Sequence, residues 1–260
     1  SSTGAEHNTH RRAGWSSGGT IDQRPVDQRP VDQRCGSPRR FAAHGAPPTV
    51  YLQTAHVVAI QLTTPGMPSI YYGTEQALDG TEDYHDYGCE PKRFAEDRYI
   101  REAMFGGEFG AFGTQGCHFF NPDHPTYLRI AAIARLRSGD DAVGRTLRKG
   151  RLFPRETAYL GYPYQIQPAG EVTAWSMVHY QTEVVMALNT NGGAERGAYV
   201  TVDAAKHPAG STMRILYNSS WSDEQLRNPP EDQTVTVTEQ ADGRVTVRVD
   251  LPAAGMMILA

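Results

Sequence analysis

The sequence predicts an α/β segment followed by an all-β, antiparallel sandwich, and two patterns support this fold class. Between residues 48 and 76 an apolar helical stretch, a turn and a short β-prone run follow one another, as in one unit of an α/β fold. From residue 172 onward, apolar and polar residues alternate in short runs, as in half-buried strands. With 260 residues, 39% apolar and 21% charged, the chain has the composition of an ordinary folded protein.

The first 45 residues differ from the rest of the chain. Residues 22 to 34 repeat the unit Asp-Gln-Arg-Pro-Val, with proline at a fixed interval and almost no apolar side chain to bury. A segment of this kind cannot offset the entropy lost when it becomes ordered. We therefore expect residues 1–45 to be a disordered or artefactual low-complexity segment, in preference to a basic recognition arm.

The second predicted unit, residues 46–139, opens with a helix. Apolar side chains from Pro48 to Leu62 fit a mostly buried helix, which Pro65 and Gly66 end. The next run, Ile70-Tyr71-Tyr72, is β-prone and predicts a short buried strand. Gly73 then lets the chain turn sharply, so the unit reads helix, turn, strand and loop.

Glu75 lies directly beyond this predicted strand. In α/β barrels the reactive groups lie at the carboxyl ends of the strands. By position alone, Glu75 is therefore a catalytic candidate. It is also the one carboxylate that the pattern places at such a strand end.

A long loop and a second helix complete this unit. Residues 77–120 are rich in Gly, Asp and Tyr and predict a long loop, with room for one short helix. Asp123 or Thr126 is expected to cap a helix that runs to about Arg137, with Gly139 just beyond its end.

The loop Glu82-Asp83-Tyr84-His85-Asp86-Tyr87 offers acidic and imidazole side chains at a spacing that oxygen-preferring cations accept. A calcium site normally needs more oxygen ligands than this, so contact with sugar hydroxyls or solvent is favoured over calcium. No other cofactor or metal is expected. His118 and His124 are expected to be capping or loop residues.

Residues 140–260 predict an antiparallel β-sandwich. About seven or eight short strands at this spacing are typical of such a domain. Trp221 lies on a polar loop, where a partly buried anchor is favoured over a platform for a sugar ring. The predicted strands cover residues 172–178, 184–188, 199–202, 214–217, 235–237, 245–249 and 256–259.

Gly66, Pro68, Gly73 and Glu75 fit the pattern Gly-x-Pro-x-x-x-x-Gly-x-Glu. This segment resembles the last strand of the catalytic barrel in the α-amylase family of glycoside hydrolases. The resemblance continues through residues 119–122 and covers roughly residues 46–260. It implies that residues 46–139 are the C-terminal part of a (β/α)8 TIM barrel and that residues 140–260 are the β-domain that follows it.

The resemblance also implies roles for individual residues. Glu75 would line the wall of the substrate pocket, together with Gly73 and Tyr72. In this family the nucleophile, the acid and a supporting aspartate come from earlier strands, and retaining hydrolysis needs two carboxyl groups about 5 to 5.5 Å apart. The family's Asn-His-Asp motif has no match here, since the nearest tripeptide is Ala43-His44-Gly45. No catalytic residue is therefore expected in this chain.

The chain is short for such an enzyme, because the barrel alone takes about 250 residues. We expect the distal portion of an α-amylase-type glycosidase or transglycosylase, inactive by itself, whose partner is an α-linked oligosaccharide or glucoside. The alternative is a non-catalytic sandwich that binds carbohydrate or protein. That alternative leaves the segment from Gly66 to Glu75 unexplained.

Charge and composition argue against nucleic acid and membranes as partners. A net charge of -4 and an isoelectric point near 6.1 argue against nucleic acid. No apolar run reaches the ~18 residues of a membrane span. The N-terminal residues have no apolar signal core, which slightly favours the cytoplasm and leaves the localisation open. Cys35, Cys89 and Cys117 have no Cys-x-x-Cys spacing, which leaves a Cys89–Cys117 bridge as the one open pairing.

Overall fold

The computed structural model of the protein describes residues 49–77, 120–159, 161–166 and 171–260. The predicted low-complexity segment, residues 1–45, lies outside the described residues. So do the loop at residues 82–87, His118 and all three cysteines. The described residues all belong to one unit of the chain.

Helices α1 and α2 confirm the two helices that the sequence predicts. Helix α1 spans Thr49–Thr63 and helix α2 spans Pro125–Ser138. The N-cap of α2 is His124, and the predicted caps Asp123 and Thr126 were wrong. Pro125 has no N–H group, so the free donor of this first turn is the amide of Thr126, which donates to Nδ1 of His124 at 3.2 Å.

Two further helices were not predicted from the sequence. Helix α3, Ala142–Lys149, begins after Asp141, whose side chain accepts a hydrogen bond from the Gly144 amide at 2.8 Å. Helix α4, Asp223–Arg227, follows Ser222 in a capping box with Gln225. Helix α3 has only eight residues, about two turns, so its apolar spacing is too short to predict a helix.

The predicted strand at Ile70–Tyr72 was wrong, and no (β/α)8 barrel is seen in the described residues. Residues 67–71 have no regular secondary structure, and Tyr72 and Gly73 form a turn. A strand is stable when a neighbour takes up its backbone hydrogen bonds. None of the described strands pairs with this segment, and the side chains of Ile70, Tyr71 and Tyr72 are 40%, 53% and 42% exposed.

The predicted sandwich is confirmed, because the described residues hold nine antiparallel strands in the order β1-β3-β4-β9-β6-β7-β8-β5-β2. Strands β1 and β2 were not predicted. The strands are β1 Arg151–Arg155, β2 Thr157–Ala158, β3 Val172–His179, β4 Thr182–Asn189, β5 Arg196–Thr201, β6 Thr212–Asn218, β7 Thr234–Glu239, β8 Val245–Leu251 and β9 Met256–Leu259.

Two segments pass from one sheet to the other and give the domain its barrel-like form. The chain bends at Glu156, so that β1 pairs with β3 while β2 pairs with β5. Strand β6 pairs with β7 from Thr212 to Arg214 and with β9 from Ile215 to Asn218, and its register on β9 shifts between Ile215 and Tyr217. The first sheet is therefore β1-β3-β4-β9-β6 and the second sheet is β7-β8-β5-β2.

The sequence of each strand reflects its layer. Strand β4 is buried from Glu183 to Asn189 because helices cover one face of the first sheet and the second sheet covers the other. Strand β8 instead leaves Asp250 exposed between buried Val249 and Leu251, since its outer face meets solvent. Fully buried side chains at the centre are Met177, Met186, Met213, Tyr217, Leu251, Met256, Ile258 and Leu259.

A buried polar contact joins helix α1 to the sandwich. His56, only 2% exposed, places Nδ1 2.6 Å from the carbonyl oxygen of Ala254 and Nε2 2.9 Å from the hydroxyl of Tyr217. The indole N–H of Trp175 donates to the carbonyl of Thr63 at 3.2 Å, at the end of the same helix. These contacts fix α1, and with it the segment that follows, against the first sheet.

Candidate functional site

The candidate site begins at the turn that carries Glu75. Gly73 is buried and has a φ of 86°, in the left-handed region that glycine enters at no steric cost. A short 3-10 helix, Thr74–Gln76, starts immediately after it, with Glu75 in its first turn. Gly73 and Glu75, which the sequence places in one site, therefore lie within a single turn, and the carboxylate side chain is half-buried.

Gln76 holds this turn in place, a role that sequence reasoning missed. Its side chain is fully buried, and its Oε1 accepts from the backbone amide of Asn121 at 2.8 Å while its Nε2 donates to the Asn121 carbonyl at 3.3 Å. The side-chain amide of Gln76 thus bonds both backbone groups of Asn121, as the backbone of a neighbouring strand would. Asn121 belongs to residues 119–122, where the sequence resemblance continues. That continuation was the one sequence signal that could have pointed to the contact between Gln76 and Asn121.

Aromatic side chains lie beside the turn. Tyr72 is 42% exposed and Tyr71 is 53% exposed. Their rings meet edge to face, with centroids 6.4 Å apart. Such rings can cover the apolar face of a sugar while their hydroxyl groups remain in water. Tyr72, Gly73 and Glu75, the three residues that the resemblance assigns to the pocket wall, therefore lie within one short segment, with Tyr72 exposed, Glu75 half-buried and Gly73 buried between them.

Arg137 connects the helices behind this stretch. Its guanidinium donates to the carbonyls of Leu62 at 2.8 Å and Leu147 at 2.7 Å, near the ends of α1 and α3, and to that of Gly66 at 2.8 Å. A cation at helix C-termini satisfies carbonyl groups that have no partner within the helix. Gly66, the first fixed residue of the motif, is therefore attached to helix α2 by this side chain.

Replacing Arg137 with glutamine is expected to lower the free energy of unfolding by about 2 kcal/mol, because three charge-assisted bonds to carbonyl groups are lost. Urea unfolding followed by tryptophan fluorescence measures this. The matched control is Arg145→Gln, since that guanidinium reaches the carbonyl of Asp140 on the surface. Equal losses for the two variants would contradict the role given to Arg137.

His124 and Trp221 have structural roles. His124 caps helix α2, as expected for it. Trp221 is 5% exposed and its indole N–H donates to Oε1 of Gln233 at 2.9 Å, which confirms the buried anchor. Across the described residues, no three His, Cys, Asp or Glu side chains stand together in a way that could hold a metal ion. The loop considered for calcium is outside those ranges.

None of the helices in the described part of the chain is both long and apolar enough to cross a membrane.

No protein-family model matches the chain, and no curated protein matches it. Solved structures of α-amylase-family enzymes do match, over about 80% of the chain. The debranching enzyme of Nostoc punctiforme is 18% identical, with 85% of this chain and 32% of that chain covered and a TM-score of 0.45. The α-amylase of H. orenii is 17% identical, with 85% and 37% covered and a TM-score of 0.44.

The trehalulose synthase MutB is 13% identical, with 80% of this chain and 38% of that chain covered and a TM-score of 0.47. The chain thus spans about a third of the length of the solved structures that it matches. With TM-scores below 0.5, these matches assign no activity to the chain.

Proposed function

We propose that this chain is the distal portion of an α-amylase-type glycosidase or transglycosylase that acts on α-glucosidic bonds. The observation that carries the proposal is the pattern formed by Gly66, Pro68, Gly73 and Glu75. Its geometry supports the proposal, because the left-handed Gly73 turns the chain and Glu75 follows at once in a half-exposed position. The alternative, a non-catalytic sandwich that binds carbohydrate or protein, gives this pattern no role.

The exposed face of helix α1 supports a larger catalytic unit. Val50, Val57 and Ile60 are 38%, 60% and 38% exposed and lie along one side of the helix, while Ala55 and Ala59 on the other side are fully buried. Gln53 and Gln61 are exposed on the same side, so this face mixes polar and apolar side chains. Exposed apolar side chains on a helix face are typical of a helix that packs against a further partner. In this proposal, residues 46–139 complete a (β/α)8 barrel together with earlier strands, and residues 140–260 are the domain that follows it.

In this proposal the described residues position substrate and do not carry out the chemistry. Tyr72 and Gly73 form part of the pocket wall, and Glu75 accepts hydrogen bonds from sugar hydroxyls. The nucleophile, the acid and the supporting aspartate of a retaining mechanism are supplied by the earlier strands. The partner is an α-linked oligosaccharide or glucoside, and no cofactor takes part.

The test compares the chain alone with the chain joined to a barrel that carries the Asn-His-Asp motif. The chain alone is expected to hydrolyse neither maltosaccharides nor aryl α-glucosides above background. In the joined enzyme, Glu75→Gln is expected to lower kcat/KM by about 5- to 150-fold, as the loss of a charge-assisted hydrogen bond of about 1 to 3 kcal/mol predicts.

The size of the loss assigns the role of Glu75. Loss of a nucleophile costs about 10⁶-fold in rate in triad-type enzymes, so a loss of that size would make Glu75 catalytic and overturn its place in the pocket wall. The matched control is Asp123→Asn, an exposed carboxylate paired with Arg227. Unchanged kinetics for Glu75→Gln would contradict the place of Glu75 in the pocket wall.

A further inference from the structure

A cleft of about 500 Å³ opens on the second sheet, lined by residues of β5 and β8 and by the segment after β2. This volume is in the range of sites that hold small organic ligands. The side chains that line it include Tyr159, Glu195, Arg196, Arg248 and Asp250. None of them belongs to the stretch that carries Glu75.

The floor of the cleft depends on Gly197. This residue lies opposite Asp250 in the pairing of β5 with β8. A Cβ atom at Gly197 would come within 2.0 Å of Nη2 of Arg248 and within 2.3 Å of Oδ1 of Asp250. The ion pair formed by Arg248 and Asp250, 2.5 Å between Nη2 and Oδ1, therefore occupies the space that a side chain would fill.

Aromatic rings hold the guanidinium and form one wall. The Cζ atom of Arg248 lies 5.2 Å from the ring centroid of Tyr199, its partner across the β5–β8 pairing. Tyr159 lines the cleft, and its ring is nearly parallel to that of Tyr162, with an interplanar angle of 23° and centroids 6.3 Å apart. The cleft thus combines a flat aromatic surface with a fixed pair of hydrogen-bonding groups.

The charges that line the cleft cancel. Arg196 and Arg248 carry positive charge, while Glu195 and Asp250 carry negative charge. Each guanidinium is already paired, Arg248 with Asp250 and Arg196 with Glu171 at 2.6 Å. An anionic or cationic ligand would gain little net attraction here. A neutral ligand rich in hydroxyl groups can instead donate to the carboxylates and accept from the guanidinium groups.

We propose that this cleft binds a neutral oligosaccharide, with one pyranose ring stacked on Tyr159 and neighbouring hydroxyl groups bonded to Arg248 and Asp250. The flat ring faces the C–H groups of the sugar, and the ion pair faces its hydroxyls. The cleft is a second site, separate in its residues from the pocket wall at Glu75. The choice of an α-linked glucan as the first probe rests on the proposed function.

The test measures binding of maltoheptaose to the full chain by isothermal titration calorimetry, with cellohexaose as the β-linked comparison. Saturable binding is expected for maltoheptaose. Tyr159→Ala is expected to weaken it about threefold or more through loss of the stacked ring. Gly197→Ala retains every side chain that lines the cleft and displaces the guanidinium, so a similar loss is expected for it.

The matched control is Tyr180→Ala, which removes a tyrosine that is 85% exposed on the turn between β3 and β4. Thermal unfolding of each variant checks that the fold is retained. Absence of saturable binding to both sugars, or equal weakening by Tyr180→Ala, would overturn the cleft as a binding site. Binding of cellohexaose alone, weakened by Gly197→Ala, would support the cleft and contradict its link to α-glucans. Neither result depends on the effect of Glu75→Gln.

Discussion

Replacing Glu183 with glutamine is expected to lower the free energy of unfolding by about 3 to 5 kcal/mol, the loss typical of a broken buried ion pair. The side chain of Glu183 is fully buried, and its Oε1 pairs with the guanidinium of Arg155 and accepts from the Ser176 hydroxyl at 2.6 Å. Its Oε2 accepts from the backbone amide of Asp203 at 3.0 Å. The variant leaves the charge of Arg155 without its counter-charge in a largely buried place.

The position of Glu183 explains why the effect is large. Arg155 is the last residue of β1, directly before the bend at which the chain passes to the second sheet. Glu183 on β4 therefore fixes both the edge of the first sheet and the segment after β5. Loss of this carboxylate removes the ion pair with Arg155 and also weakens the hydrogen bond that holds the segment after β5.

Urea unfolding at pH 7 measures the change, with Glu171→Gln as the matched control. Glu171 also pairs with an arginine, Arg196, but both side chains are partly exposed, at 42% and 25%. Exposed ion pairs contribute little because water already solvates the charges. A small, equal change in both variants would contradict a structural role for the buried pair.

Lowering the pH from about 7 to below about 4 is expected to destabilise the fold by about 3 kcal/mol through His56 alone. Burial lowers the pKa of His56 to about 4, and the nearby charge of Arg129 acts in the same direction, while the hydrogen bond to Ala254 opposes it. In the unfolded chain the pKa returns to about 6.5. Between these values the unfolded chain binds a proton that the folded chain does not.

The direction of the effect follows from that difference. Stability is unaffected by His56 above about pH 6.5 and falls as the pH drops from about 6.5 to about 4, because protons favour the unfolded state there. The hydrogen bonds agree with a neutral ring. The carbonyl of Ala254 can only accept, so Nδ1 carries the proton and Nε2 accepts from the hydroxyl of Tyr217.

His124 acts in the same direction. Burial lowers its pKa to about 4. Its Nδ1 accepts the amide hydrogen of Thr126 at the start of helix α2, and a protonated ring has no free nitrogen with which to accept. Protonation would therefore remove the cap of α2 as well as place a charge in a buried position.

Urea midpoints measured from pH 7.5 to pH 4 test this expectation. The curve for His56→Gln should fall less steeply with decreasing pH than that of the unaltered chain, even if it starts from a lower stability. The control is His179→Gln, which makes the same replacement at a partly exposed histidine at the end of β3. Parallel curves for the chain and His56→Gln would show that His56 does not carry the effect.

Local pattern predicted helices α1 and α2 and seven of the nine described strands correctly, for reasons that lie within each segment. Apolar spacing and the Pro65-Gly66 stop predicted α1, and alternation predicted β3 to β9. Strand β1 escaped notice because its consecutive residues Leu152 and Phe153 are both exposed, so no alternation is visible. Strand β2 escaped notice because it has only two residues, both of them buried. The burial of nearly all of β4 reflects cover on both faces, which a single strand cannot reveal.

The segment around Ile70 shows where local pattern misleads. Its residues have high strand propensity, yet strand formation depends on a neighbouring strand. The sequence therefore determined the composition of this segment and the turn at Gly73. The backbone before that turn has an irregular conformation, because none of the described strands pairs with it.

The sequence by itself determined the positions of helices α1 and α2, the alternating strands β3 to β9 and the resemblance around Glu75. Only the tertiary structure brought Gln76 to Asn121, His56 to Tyr217, Glu183 to Arg155 and Arg248 over Gly197. Local propensity depends on neighbours along the chain. These contacts join residues 28 to 161 positions apart or on facing strands, and the packing of sheets and helices decides which of them form.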